Sequence, residues 1–323
     1  MTPRVLVTGA GGFIGHALVR ALVQRGFWVR GIDLKLPAYG PTAAQEFWTR
    51  ALRAPRTCHR AGDGIGEVFH LAADMGGIGY ITAVHADVFR NNALMDLNML
   101  QAASVARVRR FLFSSSACVY PAGRQTEAES PPLKESDASP AEPEKGYGWE
   151  KLFMEQLCQY YREEYGLQTR IARIHNCYGP QGTYDGGREK APAALARKVA
   201  LAADGDEIEV WGDGNQTRSF LYIDDCVEGL SRLMQSDYAH PVNVGSDRLV
   251  TIAALARLII GVSGKRVRCR FDPSKPQGVR GRNSDNTLAK SVLGWEPSVT
   301  LEEGLRRTYA WIAEQITGGD HAG

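Results

Sequence analysis

The 323-residue sequence lacks the patterns that mark metal, disulfide or membrane proteins. Its six cysteines form no CxxC pair and no Cys/His cluster at zinc-ligand spacing, so we expect no metal site. No apolar run reaches membrane-spanning length, and no secretory signal pattern precedes the first strand pattern. We therefore expect a cytoplasmic protein with reduced thiols and no membrane partner.

The sequence also lacks a surplus of charge. Thirty-eight basic residues against 36 acidic residues leave a formal net charge of +2, which gives nucleic acid no broad electrostatic attraction. Hydrophobic residues at 44% and charged residues at 23% are typical of a globular protein. The length fits one large domain or two unequal ones.

The N-terminal residues follow the order strand, glycine-rich turn, helix, strand. Residues 5–8 predict a buried strand, residues 9–15 a turn, and residues 16–25 an amphipathic helix. Residues 28–32 predict a second strand that closes on Asp33. Such a βαβ unit requires a parallel sheet with a right-handed crossover.

The rest of the chain extends this pattern, except that residues 36–66 are hard to assign. Further strands are predicted at 68–72, 110–114, 169–174 and 242–244, and helices at 86–106, 147–165, 191–203, 251–263 and 301–316. We predict an α/β fold, with a doubly wound parallel Rossmann sheet and a smaller α+β C-terminal substrate lobe. The predicted NAD-binding domain is 1–176 and 215–247, and the predicted lobe is 177–214 and 248–323.

Gly9, Gly12 and Gly15 form a GxxGxxG pattern between the first strand and the first helix. The tight turn and the close approach of the backbone to a pyrophosphate need residues without a Cβ, and the helix N-terminus offers free N–H groups to the phosphates. A glycine pattern alone also fits a plain turn. Its position upstream of an acidic strand end predicts a dinucleotide site that includes Phe13 and Ile14.

Asp33 lies where the second predicted strand ends. A carboxylate at this point accepts hydrogen bonds from both ribose hydroxyls and repels a 2′-phosphate, so the sequence favours NAD over NADP. Arg30 and Lys35 are close to Asp33 in sequence, and their positive charges leave NADP open as the cofactor. The alternative interpretation of Asp33 is an exposed turn residue.

Ser116, Tyr147 and Lys151 predict hydride-transfer chemistry. Tyr147 and Lys151 are four residues apart, which on a helix places them on one face about 6 Å apart along the axis. The lysine ammonium favours the phenolate, so the tyrosine can exchange a hydroxyl proton with a substrate while the serine orients the same oxygen. The alternative is a half-buried tyrosine that only packs.

Cys118 and Lys190 are candidates for a second acid/base pair. A thiol has an ordinary pKa of about 8.5, within reach of neutral pH. Lys190 lies in a glycine-rich loop before a helix with Pro192 near its first turn, where partial burial would lower the pKa of its amine. The alternatives are a thiol that packs as a small apolar group and a lysine exposed to solvent.

Five motifs resemble a known enzyme family nearly end to end. TGAGGFIG, LAAD, FSSSACVY, YGWEK and LGWEPSVTLEEGLRRTY are similar to segments of the extended short-chain dehydrogenase/reductases that act on nucleotide sugars. The resemblance implies that Tyr147, Lys151 and Ser116 are catalytic. The enzymes of this superfamily commonly pair through a four-helix interface, which implies a homodimer built on helices 86–106 and 147–165.

Longer segments resemble the GDP-mannose 3,5-epimerase family in particular. These are AADMGGIGYI, SSSACVYP, LKESDASPAEP, HNCYGPQGTYDGGREKAPAA, WGDGNQTRSF and GVRGRNSDN. The resemblance implies an isomerase that uses NAD and a GDP-sugar, with Cys118 and Lys190 as the acid/base pair at carbons 5 and 3. It implies substrate contacts at Gly76, Ser116, Asn176, Glu189, Lys190, Lys198, Gln216 and Arg282.

Arginine side chains of the second half suit the two charges of a nucleoside diphosphate, because a guanidinium binds such oxygens in fork geometry. We assign this role to Arg218 and Arg282, with Arg280 as an alternative to Arg282. Trp211 and Trp295 are expected to be packing residues. One departure from the family pattern is Ala51, which stands where the family has an aspartate near the adenine.

Four alternatives stay open from the sequence. The first three are a nucleotide-sugar 4-epimerase, a 4,6-dehydratase and an epimerase of a related GDP-sugar such as a heptose. A protein that holds NAD as a redox sensor is a further alternative, because a dinucleotide fold does not fix function.

Overall fold

The computed structural model describes residues 2–76, 80 and 83–319, so the last four residues of the predicted lobe lie outside it. The central sheet has seven strands, and they lie in the order β11–β6–β5–β4–β1–β2–β3. Numbered in chain order, they are β1 (Arg4–Thr8), β2 (Trp28–Asp33), β3 (Glu46–Thr49), β4 (Glu67–His70), β5 (Arg110–Ser116), β6 (Gln168–Ile174) and β11 (Pro241–Val244).

Every neighbouring pair in this sheet is parallel. The chain builds outward from β1 through β2 to β3 on one side, and from β4 through β5 and β6 to β11 on the other. The predicted doubly wound sheet is therefore confirmed, and its direction reverses between β1 and β4.

Helices cover both faces of the sheet. These helices are α1 (Phe13–Gln24), α2 (Pro55–Gly62), α3 (His85–Val105), α4 (Tyr147–Tyr165) and α6 (Ile223–Gln235). Side chains alternate along β1, so Val5 and Val7 pack on the face that α1 and α6 cover, while Leu6 packs on the face of α2, α3 and α4. All three side chains are fully buried, as expected for a strand covered on both faces.

The C-terminal part forms a smaller layer of helices and short strands. Its helices are α5 (Ala191–Leu201), α7 (Ile252–Ser263), α8 (Thr287–Leu293) and α9 (Leu301–Gly319). Its strands are β7 (Cys177–Tyr178), β8 (Glu207–Trp211), β9 (Thr217–Ser219), β10 (Leu221–Tyr222), β12 (Leu249–Thr251), β13 (Arg268–Asp272) and β14 (Gly281–Arg282). Helices α5, α7 and α9 pack on one another, while β9 lies between β12 and β14. The residue boundaries drawn above between domain and lobe stay a prediction.

Three aromatic rings join distant parts of the chain. Tyr39, in the loop after β2, contacts Trp311 of α9 edge to face, with ring centroids 4.9 Å apart. Tyr184, in the glycine-rich segment before α5, contacts the same tryptophan, with ring centroids 5.5 Å apart. The loop after β2, the segment before α5 and the last helix therefore share one aromatic contact.

Several sequence expectations need correction. The first helix begins at Phe13 rather than at residue 16, because Gly12 is its N-cap and Gly15 lies within its first turn. The strand predicted at 68–72 ends at His70. Trp295 is buried as expected, but Trp211 is 42% exposed and is not a packing residue; it ends β8, and its indole donates a hydrogen bond only to the nearby Glu209 carboxylate.

Candidate active site

A cavity of about 650 Å³ lies at the carboxyl ends of the central strands. It lies where the winding of the sheet reverses, which is where open α/β sheets bind their ligands. Its walls come from the turn after β1, the end of β2, the loop after β4, the ends of β5 and β6, and the segment before α5. The predicted site residues that line it are Gly9, Gly12, Phe13, Ile14, Gly15, Asp33, Gly76, Ser116, Tyr147 and Lys190.

The glycine turn has the geometry that a pyrophosphate requires. Gly9 has φ +68°, a backbone angle that residues other than glycine rarely adopt. A Cβ at Gly15 would lie 2.0 Å from the carbonyl oxygen of Gly9, so α1 packs on the turn only without a side chain there. Gly12 is the N-cap of α1 and offers no side-chain cap. The first N–H groups of α1 and its partial positive charge are therefore available to an anion at the cavity.

Asp33 is fixed at the cavity by three backbone amides. Its Oδ2 accepts a hydrogen bond from the Gly11 N–H at 2.9 Å, and its Oδ1 accepts from the N–H groups of Leu34 and Lys35. A carboxylate oxygen has further acceptor capacity, so these bonds orient the group and still leave it able to bind ribose hydroxyls. Asp33 is thus more than an exposed turn residue.

Arg30 is committed elsewhere and does not favour a 2′-phosphate. Its guanidinium is buried and donates to the Glu46 carboxylate at 2.8 Å and to the Ala61 carbonyl at 2.8 Å. Lys35 does line the cavity. Ala51 is not among the lining residues, whereas its neighbours Arg50, Leu52 and Arg53 are.

Tyr147 is the first residue of α4 and reaches the cavity. Gly146 precedes it with φ +75°, which turns the chain into the helix. The buried tyrosine packs with Cys118 and Val88. Lys151 lies one helical turn later, with its Nζ 5.5 Å from the centroid of the tyrosine ring. The structure therefore brings the predicted tyrosine and lysine together, and it adds the thiol to them.

The expected effect of Lys151 on the acidity of Tyr147 is present, but burial outweighs it. Burial raises the pKa of Tyr147 above its ordinary value, and the opposing effect of the Lys151 ammonium is smaller. The reason is that a buried phenolate loses more hydration than one ammonium at this distance restores. The phenol is therefore protonated at neutral pH.

Cys118 lies in the short turn that follows β5, and it is 7% exposed. Its N–H donates to the Ser116 Oγ at 3.2 Å, and the Nη1 of Arg282 lies 3.9 Å from its Sγ. Burial, and then the charge of Glu144, raise the pKa of the thiol to about 11, whereas Arg282 acts to lower it. The expectation that this pKa is close to neutral is therefore wrong, and the thiol carries its proton at rest.

Lys190 is the N-cap of α5, with a proline in the first turn as expected, and it is half-buried. Lys190 lines the cavity together with Arg188. The Arg188 guanidinium lies 3.9 Å from the ring centroid of Tyr80. Glu189 is also half-buried, and its Oε2 has no hydrogen-bond partner among the residues described. This segment therefore carries a lysine and an arginine that line the cavity, and a glutamate oxygen that has no hydrogen-bond partner among the described residues.

A half-buried arginine on β9 and a buried arginine on β14 lie side by side. Arg282 pairs in register with Arg218. The Arg282 guanidinium donates to Gln125 and to the carboxylate of Glu144, whereas Arg218 donates to the backbone carbonyls of Thr217 and Gln277. Burial, and then the charge of Arg282, lower the pKa of Arg218 to about 10. Such a pair of cations favours a bound anion.

Arg280 and Arg282 differ in their partners and in their exposure. Arg280 forms an ion pair with Asp213, with 2.8 Å between Nη1 and Oδ1, and its side chain is one-third exposed. Arg282 is the one that is buried beside Cys118.

Six predicted substrate residues are not among those that line the cavity: Asn176, Glu189, Lys198, Gln216, Arg218 and Arg282. Asn176 donates to the Ser219 carbonyl at 3.2 Å, and Lys198 donates to the Glu209 carbonyl at 2.8 Å, while burial lowers the pKa of Lys198. The Gln216 amide donates to the Trp211 carbonyl, and its buried Oε1 has no hydrogen-bond partner in the described part of the chain. Substrate contact by these residues stays a prediction.

Known proteins resemble this chain in sequence and in fold. The model of the NAD dependent epimerase/dehydratase family matches residues 5–245. The chain belongs to this family. Membership makes the chain an NAD-dependent enzyme, as the glycine turn and Asp33 predict, and the cradle at Gly9 and Gly15 fits that cofactor.

This family member is similar to curated enzymes and to solved structures over nearly its whole length. It is 47% identical to a GDP-mannose 3,5-epimerase of Arabidopsis thaliana over 315 residues, which cover 97% of this chain and 83% of the relative. The UDP-glucose 4-epimerase of Thermotoga maritima, solved with UDP-glucose, is 27% identical with a TM-score of 0.86, and covers 97% and 99% of the two chains. The UDP-glucose 4-epimerase of Thermus thermophilus, solved with NAD, is 25% identical with a TM-score of 0.83, and covers 96% and 98%. The fold is thus that of nucleotide-sugar epimerases.

The described part of this family member has neither a membrane-spanning helix nor a cluster of metal ligands. Within residues 2–76, 80 and 83–319, no helix is both long and apolar enough to cross a membrane. Over the same residues, no three His, Cys, Asp or Glu side chains come together as a metal site would need.

Sequence reasoning missed several residues of the site. Glu144 and Gln125 hold Arg282, and Arg188 lines the cavity. Arg188 and Glu144 lie within the motifs that were quoted, or next to them, so their charge was a usable signal. Asp96 contacts Lys151 from the middle of α3, and nothing in the surrounding helical pattern marks it.

Proposed function

We propose that this chain is an NAD-dependent GDP-mannose 3,5-epimerase, which converts GDP-D-mannose to GDP-L-galactose with GDP-L-gulose as a side product. The observation that carries the proposal is the contact between Cys118 and Tyr147 at the end of β5. An enzyme that moves only a hydride at carbon 4 needs no thiol beside its tyrosine. The similarity to the Arabidopsis relative named as such an epimerase supports the same choice of substrate.

The first step is oxidation of the sugar at carbon 4. NAD, which the glycine turn and Asp33 would hold, would supply reversible hydride transfer at carbon 4 without net consumption of cofactor. Tyr147 takes the proton of the 4-hydroxyl group in its phenolate form, after its own proton has left to solvent, and the Ser116 hydroxyl orients the same oxygen at the end of β5. Lys151 supplies the positive charge that favours the phenolate.

The second stage is inversion at the carbons next to the ketone. A ketone at carbon 4 makes the hydrogens on carbons 3 and 5 acidic, because the resulting carbanion is stabilised as an enediolate. One group removes the proton from one face, and the other group delivers a proton to the opposite face. We assign these roles to Cys118 and Lys190, which the chain places at the end of β5 and at the N-cap of α5.

The diphosphate is proposed to bind at Arg218 and Arg282. The Arg282 side chain is buried and that of Arg218 is half-buried, and burying a cation is costly unless an anion compensates it. Arg282 has Glu144 for this purpose, but the hydrogen bonds of Arg218 go to backbone carbonyls. A diphosphate would supply the missing negative charge. We also propose that Gly76, Asn176, Glu189, Lys198 and Gln216 contact the rest of the substrate.

Turnover in heavy water tests the proposed reaction. GDP-mannose is incubated with the enzyme in deuterium oxide, and the nucleotide sugars are analysed by NMR. We expect deuterium at carbons 3 and 5, because each inverted carbon takes its new hydrogen from solvent. Absence of label at both carbons would refute the proposal. The Tyr147→Phe variant is the control, since without the ketone neither carbon exchanges.

The same experiment separates the alternatives. A simple 4-epimerase leaves carbon 3 unlabelled. A 4,6-dehydratase also leaves carbon 3 unlabelled, and it releases water and accumulates a 4-keto-6-deoxy sugar. A GDP-heptose that is labelled faster than GDP-mannose would instead identify a related sugar as the substrate.

We propose that two copies pair through α3 and α4. These helices pack on each other and expose large apolar side chains: Trp149 and Phe153 are 47% and 45% exposed on α4, and Leu94 and Leu97 are 42% and 38% exposed on α3. A four-helix contact between two copies would bury them. Light scattering should give a dimer mass, and Trp149→Glu should shift it to the monomer. Leu201→Glu on α5 is the matched control, and a monomeric wild type would overturn the proposal.

We also propose a cytoplasmic location. All six cysteines are free thiols, and five of them are buried, which suits a reducing compartment. Cell fractionation tests this, and recovery of the protein outside the cytoplasmic fraction would contradict it.

A further inference from the structure

A cluster of ionisable side chains is buried beside the proposed catalytic lysine. The Nζ of Lys151 lies 3.3 Å from Oδ2 of Asp96 and 3.6 Å from Oε2 of Glu150. The Nε2 of His70 lies 2.8 Å from the other oxygen of Asp96. All four side chains are 0% exposed. Two carboxyl groups therefore lie beside one ammonium in a site that is closed to bulk solvent.

The hydrogen bonds around His70 show which of its nitrogens carries the proton. Thr8 Oγ1 accepts hydrogen bonds from the N–H groups of Leu71 and Ala72, both at 3.1 Å. Its two lone pairs are then occupied, so its own hydrogen points at Nδ1 of His70, 2.8 Å away. The Nε2–H of His70 is left to donate to Asp96. Asp96 therefore accepts from both His70 and Lys151.

We propose that Asp96 is the positioning residue that keeps Lys151 charged, and that Glu150, at a similar distance from the ammonium, is uncharged during catalysis. This inference rests on the proposed role of Tyr147 and Lys151 in the reaction.

The different surroundings of the two carboxyl groups support this division. Two neighbouring carboxylates cannot both ionise easily in a buried site. Asp96 has two hydrogen-bond donors, whereas neither carboxyl oxygen of Glu150 has a hydrogen-bond partner among the described residues. Burial acts to raise the pKa of Asp96, yet Lys151 and His70 hold it below its ordinary value. Burial raises the pKa of Glu150 well above its ordinary value, with Asp96 adding to it against the effect of Lys151.

The remaining neighbours supply no charge to Lys151. Burial acts to lower the pKa of Lys151, but the carboxyl groups outweigh it and raise that pKa. The ring of Phe113 lies 4.6 Å from Nζ. Tyr147 and Cys158 are the other titratable groups around the cluster, and burial raises the pKa of both, so both are neutral. Without Asp96, the one carboxyl group beside the lysine among these neighbours is that of Glu150, whose pKa burial still raises.

The consequence for the reaction follows from the position of the ammonium. Among the groups that act on the pKa of Tyr147, Lys151 opposes the effect of burial. If Lys151 loses its proton, the phenol becomes harder to ionise and takes the substrate proton less readily. We expect hydride transfer to slow ~10- to 100-fold, the effect of about one to two pKa units on the ionisation of Tyr147.

A pair of isosteric variants tests the proposal. Asp96→Asn and Glu150→Gln each replace one carboxyl group of the same buried cluster, and the rate of NADH formation is measured in single turnovers with GDP-mannose over a range of pH. We expect Asp96→Asn to lower this rate and to move its midpoint by about one pH unit or more to higher pH, reflecting a harder ionisation of Tyr147. Glu150→Gln should stay within about twofold of the wild type, since it exchanges one neutral group for another.

The pH midpoint distinguishes positioning from a purely structural role. A structural defect lowers the active fraction without moving the midpoint. Equal losses in both variants, or a loss in Asp96→Asn with an unmoved midpoint, would overturn the proposal. Asp96→Glu, which restores the negative charge, should recover most of the rate.

NMR of the wild-type protein decides the point without any variant and without a substrate. With carbon-13 in the carboxyl groups, the Asp96 signal should be that of a carboxylate at neutral pH, and the Glu150 signal that of a carboxylic acid. The reverse assignment, or two carboxylates, would refute the proposal. If no GDP-sugar reduces bound NAD, the proposed function fails, and the carboxyl signals still decide which group carries the charge.

Discussion

Replacing Glu144 with glutamine should make the Cys118 thiol markedly more acidic. Glu144 raises the pKa of Cys118 and pairs with Arg282, whose Nη1 lies 3.9 Å from the sulfur. Glu144→Gln removes a repelling charge and leaves the charge of Arg282 uncompensated. A full charge at about 4 Å contributes about 4 kcal/mol at an effective dielectric constant near 20. Because Glu144 is partly exposed, we expect a smaller shift of about 1–2 pKa units.

The expected shift has a direct chemical readout. The pKa of the thiol should fall from about 11 to about 9–10, so the thiolate fraction below that range rises ~10- to 100-fold. Iodoacetamide reacts with the thiolate, and mass spectrometry of the Cys118 peptide gives the alkylation rate at each pH.

Two variants control this measurement. Glu142→Gln changes an exposed acid in the same segment and should leave the midpoint of alkylation in place. Cys118→Ala gives the background from the other thiols. A Glu144→Gln protein whose midpoint stays near 11 would show that burial alone sets the acidity of the thiol.

The remaining predictions concern the inversion and the cofactor. Cys118→Ala should keep hydride transfer at carbon 4, seen as NADH absorbance, and lose inversion at carbon 5 by ~100-fold or more, seen by chromatography of the GDP-sugars; full epimerase activity would exclude the thiol. Gly15→Ala puts a Cβ 2.0 Å from the Gly9 carbonyl oxygen, so calorimetry should show NAD binding weakened ~100-fold or more, equivalent to about 2.7 kcal/mol. Gly66→Ala, with its nearest contact at 3.5 Å, should bind NAD normally, and equal affinity in both variants would contradict the argument.

The sheet and its helices were largely readable because their signals are local. The helix at 147–165 was placed correctly, since apolar spacing and a terminal Gly166 mark both its face and its end. Strand β3 and helix α2 were not found. The strand has four residues with no fully buried side chain, and the helix buries only Cys58, Ala61 and Gly62 among exposed charges. Short elements with one small buried face leave little periodicity to detect.

The site was predictable where residues lie next to a motif, and not where the fold brings them together. Lys190 was placed at a helix N-terminus because Pro192 marks the first turn. The different surroundings of Arg282 and Arg280 needed the third dimension, since Arg282 pairs with Glu144 beside Cys118 and Arg280 pairs with Asp213. The acidity of Tyr147 and Cys118 depends on how much water each loses on burial, which no spacing in the sequence records.

Through the contact among Tyr39, Tyr184 and Trp311, the last helix supports two segments that are far from the C-terminus in sequence. Tyr184 lies in the segment that leads to Lys190, and Trp311 holds its ring from α9. Trimming α9 would free the stretch that carries the proposed amine while the parallel strands stayed paired. Turnover and nucleotide affinity would then both suffer, since Tyr39 in the loop after β2 contacts the same tryptophan.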